Sequence, residues 1–261
     1  MNTKSLLISL GVVSISGSLI GQTIFSDDYQ SYNDTSALSG TYTQMYPDAP
    51  VLLDTEKGYN SSQSIHFGTP SANSLERMWF NLPGGPVAPT DAAPLLVEFM
   101  VDLDVDIWST RQYIELRSYA NGAYNDGALN QLLALGFNSS GVNTALINKR
   151  IYAGNDAGWG DLTGNIATRA SIVAASDWTK LGMLIKGDTV EWYVNGLFDS
   201  ANSITANVAY DSIVIGSGLS SAGADVWFDN LTVTVIPEPT TMALGLIGGI
   251  SLLLARKTRR Q

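Results

Sequence analysis

Residues 94–108 read PLLVEFMVDLDVDIW, and their alternation is the strongest constraint in the chain. Leu95, Val97, Phe99, Val101, Leu103, Val105 and Ile107 fall on one side of an extended backbone. Leu96, Glu98, Met100, Asp102, Asp104, Asp106 and Trp108 fall on the other. A strand sends successive side chains to opposite faces, so this pattern predicts a long strand with one face in a core and one largely polar face. No long stretch of the body carries a 3.6-residue apolar period, and short alternating runs recur instead. RQYIELRSY follows after a short turn, which predicts a hairpin with Ile114 and Leu116 beside Val105 and Leu103. TKLGMLIKGDTVEWYVNGLFDSA reads as strands joined at Lys186-Gly187-Asp188 and at Asn195-Gly196, the second a strong hairpin signal. SIVIGSG and ADVWFDNLTVTVI read as the last strands, and NLPGGPVAPTDAAP as a loop. Short strands separated by Gly and Asn turns predict an all-β, antiparallel β-sandwich.

Composition agrees with one such domain plus processing segments. Hydrophobic residues make up 45% of the 261, enough for a core, while only 15% are charged and 25 are glycine. The absence of cysteine excludes disulfides, thiolate zinc sites and cysteine nucleophiles. Net charge is −10, but Lys4, Arg256, Lys257, Arg259 and Arg260 lie in the terminal segments, as does Glu238. The body between them has 9 basic against 23 acidic residues, a balance of −14. Such a body repels nucleic acid and anionic headgroups and attracts cations such as calcium.

The two ends read as targeting segments. In MNTKSLLISLGVVSISGSLIGQT, Lys4 supplies a positive start and Leu6 to Ile20 an apolar run. Small residues follow, so residues 1–21 are expected to be a secretory signal helix. Residues 236–261 begin with Pro237-Glu238-Pro239, continue through an apolar run and end in Arg256, Lys257, Arg259 and Arg260. Thr240 to Ala255 is short beside the ~20 residues of a usual bilayer span. Its flanking side chains can cover the shortfall, and the basic end belongs on the cytoplasmic side. A C-terminal transmembrane helix is therefore expected, with the body outside. These three parts in order resemble a PEP-CTERM protein-sorting segment. The resemblance implies an exosortase as partner, which would read and cleave the tail near the Pro-Glu-Pro motif, in bacteria that make exopolysaccharide. The prolines remove backbone donors and hold that segment extended, open to a processing enzyme. The alternative is a plain anchor that is never cut.

The body, residues 22–235, also resembles a concanavalin A-like, LamG-type jelly roll. The likeness rests on WTKLGMLIKGDTVEWYVNGLFDSA and on the closing VWFDNLTVT. It implies the fold and leaves the activity open.

Four features bear on chemistry. His66 is the only histidine, and SIHFG reads as a strand residue with a satisfied ring, since no G-x-S-x-G elbow accompanies it. Asp102, Asp104 and Asp106 share one strand face. Laminarinase-type glycoside hydrolases carry a similar E-x-D-x-E run, but both glutamates are aspartates here. Cα atoms four residues apart on a strand lie ~13 Å apart, whereas a retaining pair needs carboxyl groups ~5–5.5 Å apart. Calcium is the other reading, because alternate Cα atoms ~7 Å apart let two carboxylates share an ion. A turn at Ser109-Thr110 would set Asp104 against Glu115 and Asp102 against Arg117, making Asp102, Asp104, Asp106 and Glu115 the candidate metal ligands. A solvated acidic face is the plain alternative. Finally, YANGAYNDG and GNDAGWGDLTGN place aromatics among Asn, Asp and Gly. Sugars stack on aromatic rings and hydrogen-bond amides and carboxylates. The candidate ligand-binding residues are Tyr119, Tyr124, Asn125, Asp126, Asn155, Asp156, Trp159 and Asp161, with core-capping rings as the alternative. Trp108 and Trp192 have charged sequence neighbours and are expected at the surface.

The expected function is an exported, non-enzymatic cell-surface or matrix protein that binds extracellular polysaccharide or another matrix component. The alternatives are a glycoside hydrolase of the same fold and a structural coat protein without a ligand.

Overall fold

The computed structural model describes residues 21–46, 50–67, 76–103, 110–139, 147–153, 156–162, 178–216 and 226–237. The expected signal helix, the apolar and basic parts of the tail with Glu238 and Pro239, and Asp104, Asp106, Trp108 and Asn155 lie outside them. Among the described residues no helix is long and apolar enough to cross a membrane.

Fifteen strands form among these residues: β1 Gln22–Asp27, β2 Thr43–Gln44, β3 Leu52–Asp54, β4 Ser64–Phe67, β5 Arg77–Asn81, β6 Leu95–Leu103, β7 Thr110–Tyr119, β8 Leu129–Ser139, β9 Ile147–Tyr152, β10 Gly158–Asp161, β11 Thr179–Lys186, β12 Thr189–Val194, β13 Leu197–Ser203, β14 Ser212–Gly216 and β15 Val226–Val235. All their pairings are antiparallel, and they make two sheets. The eight-stranded sheet runs β13-β12-β11-β6-β15-β4-β3, with β1 also on β15; the seven-stranded sheet runs β10-β9-β8-β7-β14-β5-β2. The architecture is the two-sheet sandwich expected from the alternation.

Leu95, Val97, Phe99 and Val101 of β6 are all buried in the core, as the pattern required. Ile114 and Leu116 of β7, Leu133 and Leu135 of β8, and Ile213 and Ile215 of β14 enter the same core from the seven-stranded sheet. The turn after β12 is built by Asn195 (φ 51°) and Gly196 (φ 76°), the left-handed pair that a tight hairpin needs. Asn195 also anchors β11, its Oδ1 accepting from Lys180 N at 2.9 Å.

Two expectations fail. β6 and β7 do not form a hairpin: β6 pairs with β11 and β15, β7 with β8 and β14. Ser-Thr lacks the left-handed residues of a two-residue turn, and placing the two strands in opposite sheets lets their apolar faces share one core. Trp192 is not a surface residue either. It is fully buried, and its Nε1 donates to Asn202 Oδ1 at 2.9 Å. Alternation explains this, since Glu191 and Tyr193 take the opposite face of β12 and leave Trp192 with Val190 and Val194.

Candidate functional site

The face of the seven-stranded sheet that turns away from the core collects most of the unusual side chains. Its registers align Trp79 (β5), Val214 (β14), Glu115 (β7), Ala134 (β8), Arg150 (β9) and Trp159 (β10) in one transverse row. Six strands at the usual spacing make that row ~24 Å long. A tryptophan stands at each end, small residues lie between, and charge sits at Glu115 and Arg150. Neighbouring rows add Arg77, Tyr113, Asn148 and Asp161 on one side and Arg117 on the other.

At the centre, Glu115 is only 3% exposed and both its oxygens are occupied. Arg77 Nη2 donates to Oε1 at 2.9 Å, and Arg117 Nε to Oε2 at 2.8 Å, with a further bond from Arg117 Nη2 to Oε2. Arg117 Nη1 donates to Tyr119 Oη at 2.8 Å. Burial works against the Arg117 cation, but the Glu115 carboxylate and the Tyr119 hydroxyl together outweigh it and raise its pKa above the ordinary guanidinium value. Two guanidiniums thus face one carboxylate. Arg77 Nε is buried and has no hydrogen-bond partner.

One end of the row is an aromatic stack. Tyr124 lies on Trp79 with centroids 4.4 Å apart and planes 19° apart, and Tyr119 meets Tyr124 edge-on at 5.5 Å. The loop carrying Tyr124 is held by its N–H on Asn81 Oδ1 (2.9 Å) and by Asn121 Nδ2 on Asp126 Oδ1 (2.8 Å); Asn125 takes the left-handed conformation (φ 56°). Burial pushes the Tyr124 hydroxyl pKa up. At the other end Trp159 is 46% exposed. The Arg150 guanidinium lies over it, 4.6 Å from the ring centroid, and Tyr113 is tilted against it at 5.6 Å. Asn148 Nδ2 donates to Asp161 Oδ1 at 2.8 Å.

The structure therefore spreads the expected ligand residues along one face instead of gathering them in one pocket. Tyr119 and Tyr124 stand at one end, Trp159 and Asp161 at the other. Asn125 and Asp126 are exposed on the Tyr124 loop. Asp156 is directed elsewhere: its Oδ2 accepts from Ser203 N at 2.8 Å, which fastens it to β13 of the other sheet. Trp79, Tyr113, Arg77, Arg117 and Arg150 were not among the expected ligand residues. The signal for part of this set was present, since alternation in RQYIELRSY puts Tyr113, Glu115, Arg117 and Tyr119 on one face.

Of the expected metal set, Asp104 and Asp106 lie outside the described residues, and Asp102 and Glu115 are not brought together. Asp102 and Glu115 belong to different sheets, because the hairpin that would join them is absent. Asp102 is 4% exposed and pairs with Lys57 Nζ at 3.0 Å, so the described part of this run is no solvated acidic face. Glu115 is taken by two arginines. Among the described residues no group of three or more His, Asp or Glu side chains is placed to hold a metal ion. His66 sits in β4 with its ring stacked on Trp227, 4.4 Å between centroids and 8° between planes. Trp227 Nε1 donates to Asp54 Oδ2 at 2.7 Å, and Lys57 Nζ lies 3.5 Å from the Trp227 ring centroid.

No family model matches the chain, and no curated protein sequence does. Solved structures do match in fold. The globular domain of T. cruzi calreticulin superposes with a TM-score of 0.57 at 11% identity, over 91% of this chain and 98% of that one. A carbohydrate esterase from the Shiga toxin-encoding bacteriophage phi24B gives 0.55 at 14% identity, over 83% and 99%. An endo-1,3-beta-glucanase from Streptomyces sioyaensis gives 0.54 at 11% identity, over 83% and 97%. The chain thus has the concanavalin-like jelly-roll sandwich architecture. At these identities the likeness is one of fold.

Proposed function

We propose that this protein is an exported, non-enzymatic carbohydrate-binding module whose ligand is held at the Trp159 end of the seven-stranded sheet. The observation that carries the reading is the Trp159 ring, 46% exposed, with the Arg150 guanidinium over it and Tyr113 tilted against it, while Val214, Glu115 and Ala134 farther along the row are buried. An exposed indole beside hydrogen-bonding groups suits a sugar, which stacks its apolar face on the ring. Two of the structures this chain resembles, a carbohydrate esterase and an endo-1,3-beta-glucanase, attach the same architecture to carbohydrate. Binding is favoured over hydrolysis because Glu115 has both oxygens committed to guanidiniums. Asp161, the other described carboxylate of the face, stands three strands away on β10, ~14 Å by strand spacing, and accepts from Asn148. A retaining pair needs ~5–5.5 Å and an inverting pair ~6.5–9.5 Å.

The tail supplies the address: residues 236–261 are read by an exosortase, and the mature domain is held at the cell surface or in the extracellular matrix after passage through the membrane. Affinity electrophoresis of the purified protein in gels containing polysaccharide tests the binding reading. Retardation that falls at least tenfold in apparent affinity in Trp159→Ala, with Tm held, is expected. Unchanged mobility of the native protein across neutral and acidic polysaccharides would refute it and favour a coat protein without a ligand. Release of reducing sugar would favour the hydrolase.

A further inference from the structure

The other broad face of the sandwich, the outer face of the eight-stranded sheet, carries a cleft of about 310 Å³. Strand registers bring Ser26 (β1), Thr232 (β15) and Glu98 (β6) into one transverse row, with Lys180 (β11) beside Met100 in the next. Lys180 Nζ meets Glu98 Oε1 at 2.6 Å, and the two side chains are 43% and 27% exposed, so both can be reached from solvent. Asn230, left-handed at the bulge in β15, and Tyr59 contribute further wall. Tyr59 is fixed in place. Its N–H donates to Asp229 Oδ2 at 2.7 Å, and its ring meets Trp178 edge-on at 6.2 Å.

The chemistry of these walls favours one kind of occupant. Among the described residues that line the cleft, Glu98 and Lys180 are the charged ones, and they neutralise each other. An ionic ligand would have to break that pair to be recognised by its charge. The side chains of Ser26, Asn230 and Thr232 have no hydrogen-bond partner among the described residues. Hydroxyls and a carboxamide both donate and accept, as sugar hydroxyls do, and the Tyr59 ring adds a surface for sugar C–H groups. The volume lies at the lower end of the ~300–1,000 Å³ usual for ligand pockets, the scale of a short stretch of glycan. We propose that this cleft is a second carbohydrate site, for a neutral glycan segment, and that the protein joins two glycan chains through opposite faces of one sandwich. The inference rests on the carbohydrate-binding reading and adds a second site to it. Trp159 stands on the other sheet, and two sheets packed ~10 Å apart separate the sites, so one sugar segment cannot fill both. Two sites on one rigid body hold a multivalent polymer more tightly than either alone, and they cross-link it.

The test uses the purified protein with four soluble neutral polysaccharides, a β-glucan, a xylan, a galactomannan and a dextran, read by affinity electrophoresis and light scattering. Calorimetry follows with a hexasaccharide of the polymer that retards the protein most. Two sites per chain are expected, with scattering that rises as protein is added and falls again at protein excess. Glu98→Ala/Lys180→Ala removes both partners of a half-exposed ion pair, so its Tm should hold. Ser26→Gln fills the cleft from an exposed position on β1. Each of these, and Trp159→Ala, should keep one site per chain and residual retardation but lose the scattering. One site per chain in the native protein, abolished by Trp159→Ala and untouched by the cleft variants, would overturn the second site while leaving a carbohydrate module intact. Two sites that persist in both cleft variants would overturn the assignment to this cleft. No retardation by any of the four polymers would overturn both readings.

Discussion

Glu115→Gln and Arg77→Met touch the same buried hydrogen bond and should differ sharply in cost. Glu115 accepts from Arg77 and, through two nitrogens, from Arg117, with all three side chains largely buried. Replacing the carboxylate with an amide leaves two guanidiniums facing each other and turns an acceptor into a donor pointing at one of them. Breaking a buried pair in this way costs about 3–5 kcal/mol. Arg77→Met is milder. Glu115 keeps Arg117, so a compensated pair remains, and the loss is one charge-assisted bond worth roughly 1.5–3 kcal/mol. The same change removes the unpartnered Arg77 Nε, which offsets about 1–3 kcal/mol, and methionine fills much of the space of the arginine stem. The net cost should be about 0–2 kcal/mol. For a domain of this size 1 kcal/mol moves Tm by roughly 2–4 °C, so Glu115→Gln should fall by about 6–20 °C and Arg77→Met by no more than ~8 °C. Urea unfolding at pH 7 with unchanged m-values measures both. An Arg77→Met variant as damaged as Glu115→Gln, or a Glu115→Gln variant losing under ~1 kcal/mol, would show that the cluster is not held as described.

Other consequences can be checked alongside. Asp229 is buried in β15, where it accepts from Tyr59 N and Asn230 N at 2.7 Å each, and burial pushes its pKa up to about 6. A raised carboxyl pKa means the folded state binds the extra proton. This residue therefore adds stability as pH falls from about 6 toward the unfolded value near 4, by at most about 3 kcal/mol. The stability difference between the native protein and Asp229→Asn should widen from pH 7 to pH 5, and a flat difference would contradict the linkage. Trp192→Ala should cost about 3–5 kcal/mol in chemical unfolding, as for a buried ring, while glycan retardation of the surviving fold stays unchanged. Gly196→Ala, at φ 76°, should cost roughly 1 kcal/mol by the same assay, since the hairpin turn needs that left-handed residue.

The sandwich was legible because alternation reports which face of each strand is apolar, and that information is local. Leu95, Val97, Phe99 and Val101 needed nothing beyond their spacing to be placed in the core, and the Asn195-Gly196 turn carries its own conformational code. The closing FDN is also explained once the fold is known. Asp229 caps the backbone of the 58–61 turn, and Asn230 takes a left-handed φ of 49° at the bulge in β15. Strand partnership is not local in this sense. Nothing in residues 94–119 distinguishes a hairpin from a crossing between sheets except the quality of the turn, and Ser109-Thr110 was a poor one. The error passed directly into the metal reading, because Asp104 against Glu115 depended on that register.

The site was half legible for the same reason. Polar stretches carrying aromatics can be recognised in a sequence, and both that were singled out border the outer face, through Tyr124 on a loop and Trp159 on the strand β10. What makes the face is the order β5-β14-β7-β8-β9-β10, which gathers residues from Trp79 to Val214 into one row. Each member looks ordinary in its own strand. Arg117 reads as one more polar residue in an alternating run, and Arg150 as a charge beside Lys149. Arg117 shares a strand face with Glu115 by alternation, but only the register brings Arg77 into reach across β14, and only then does the count of two guanidiniums to one carboxylate emerge. A surplus of that kind is invisible to net charge, which for this chain points the other way.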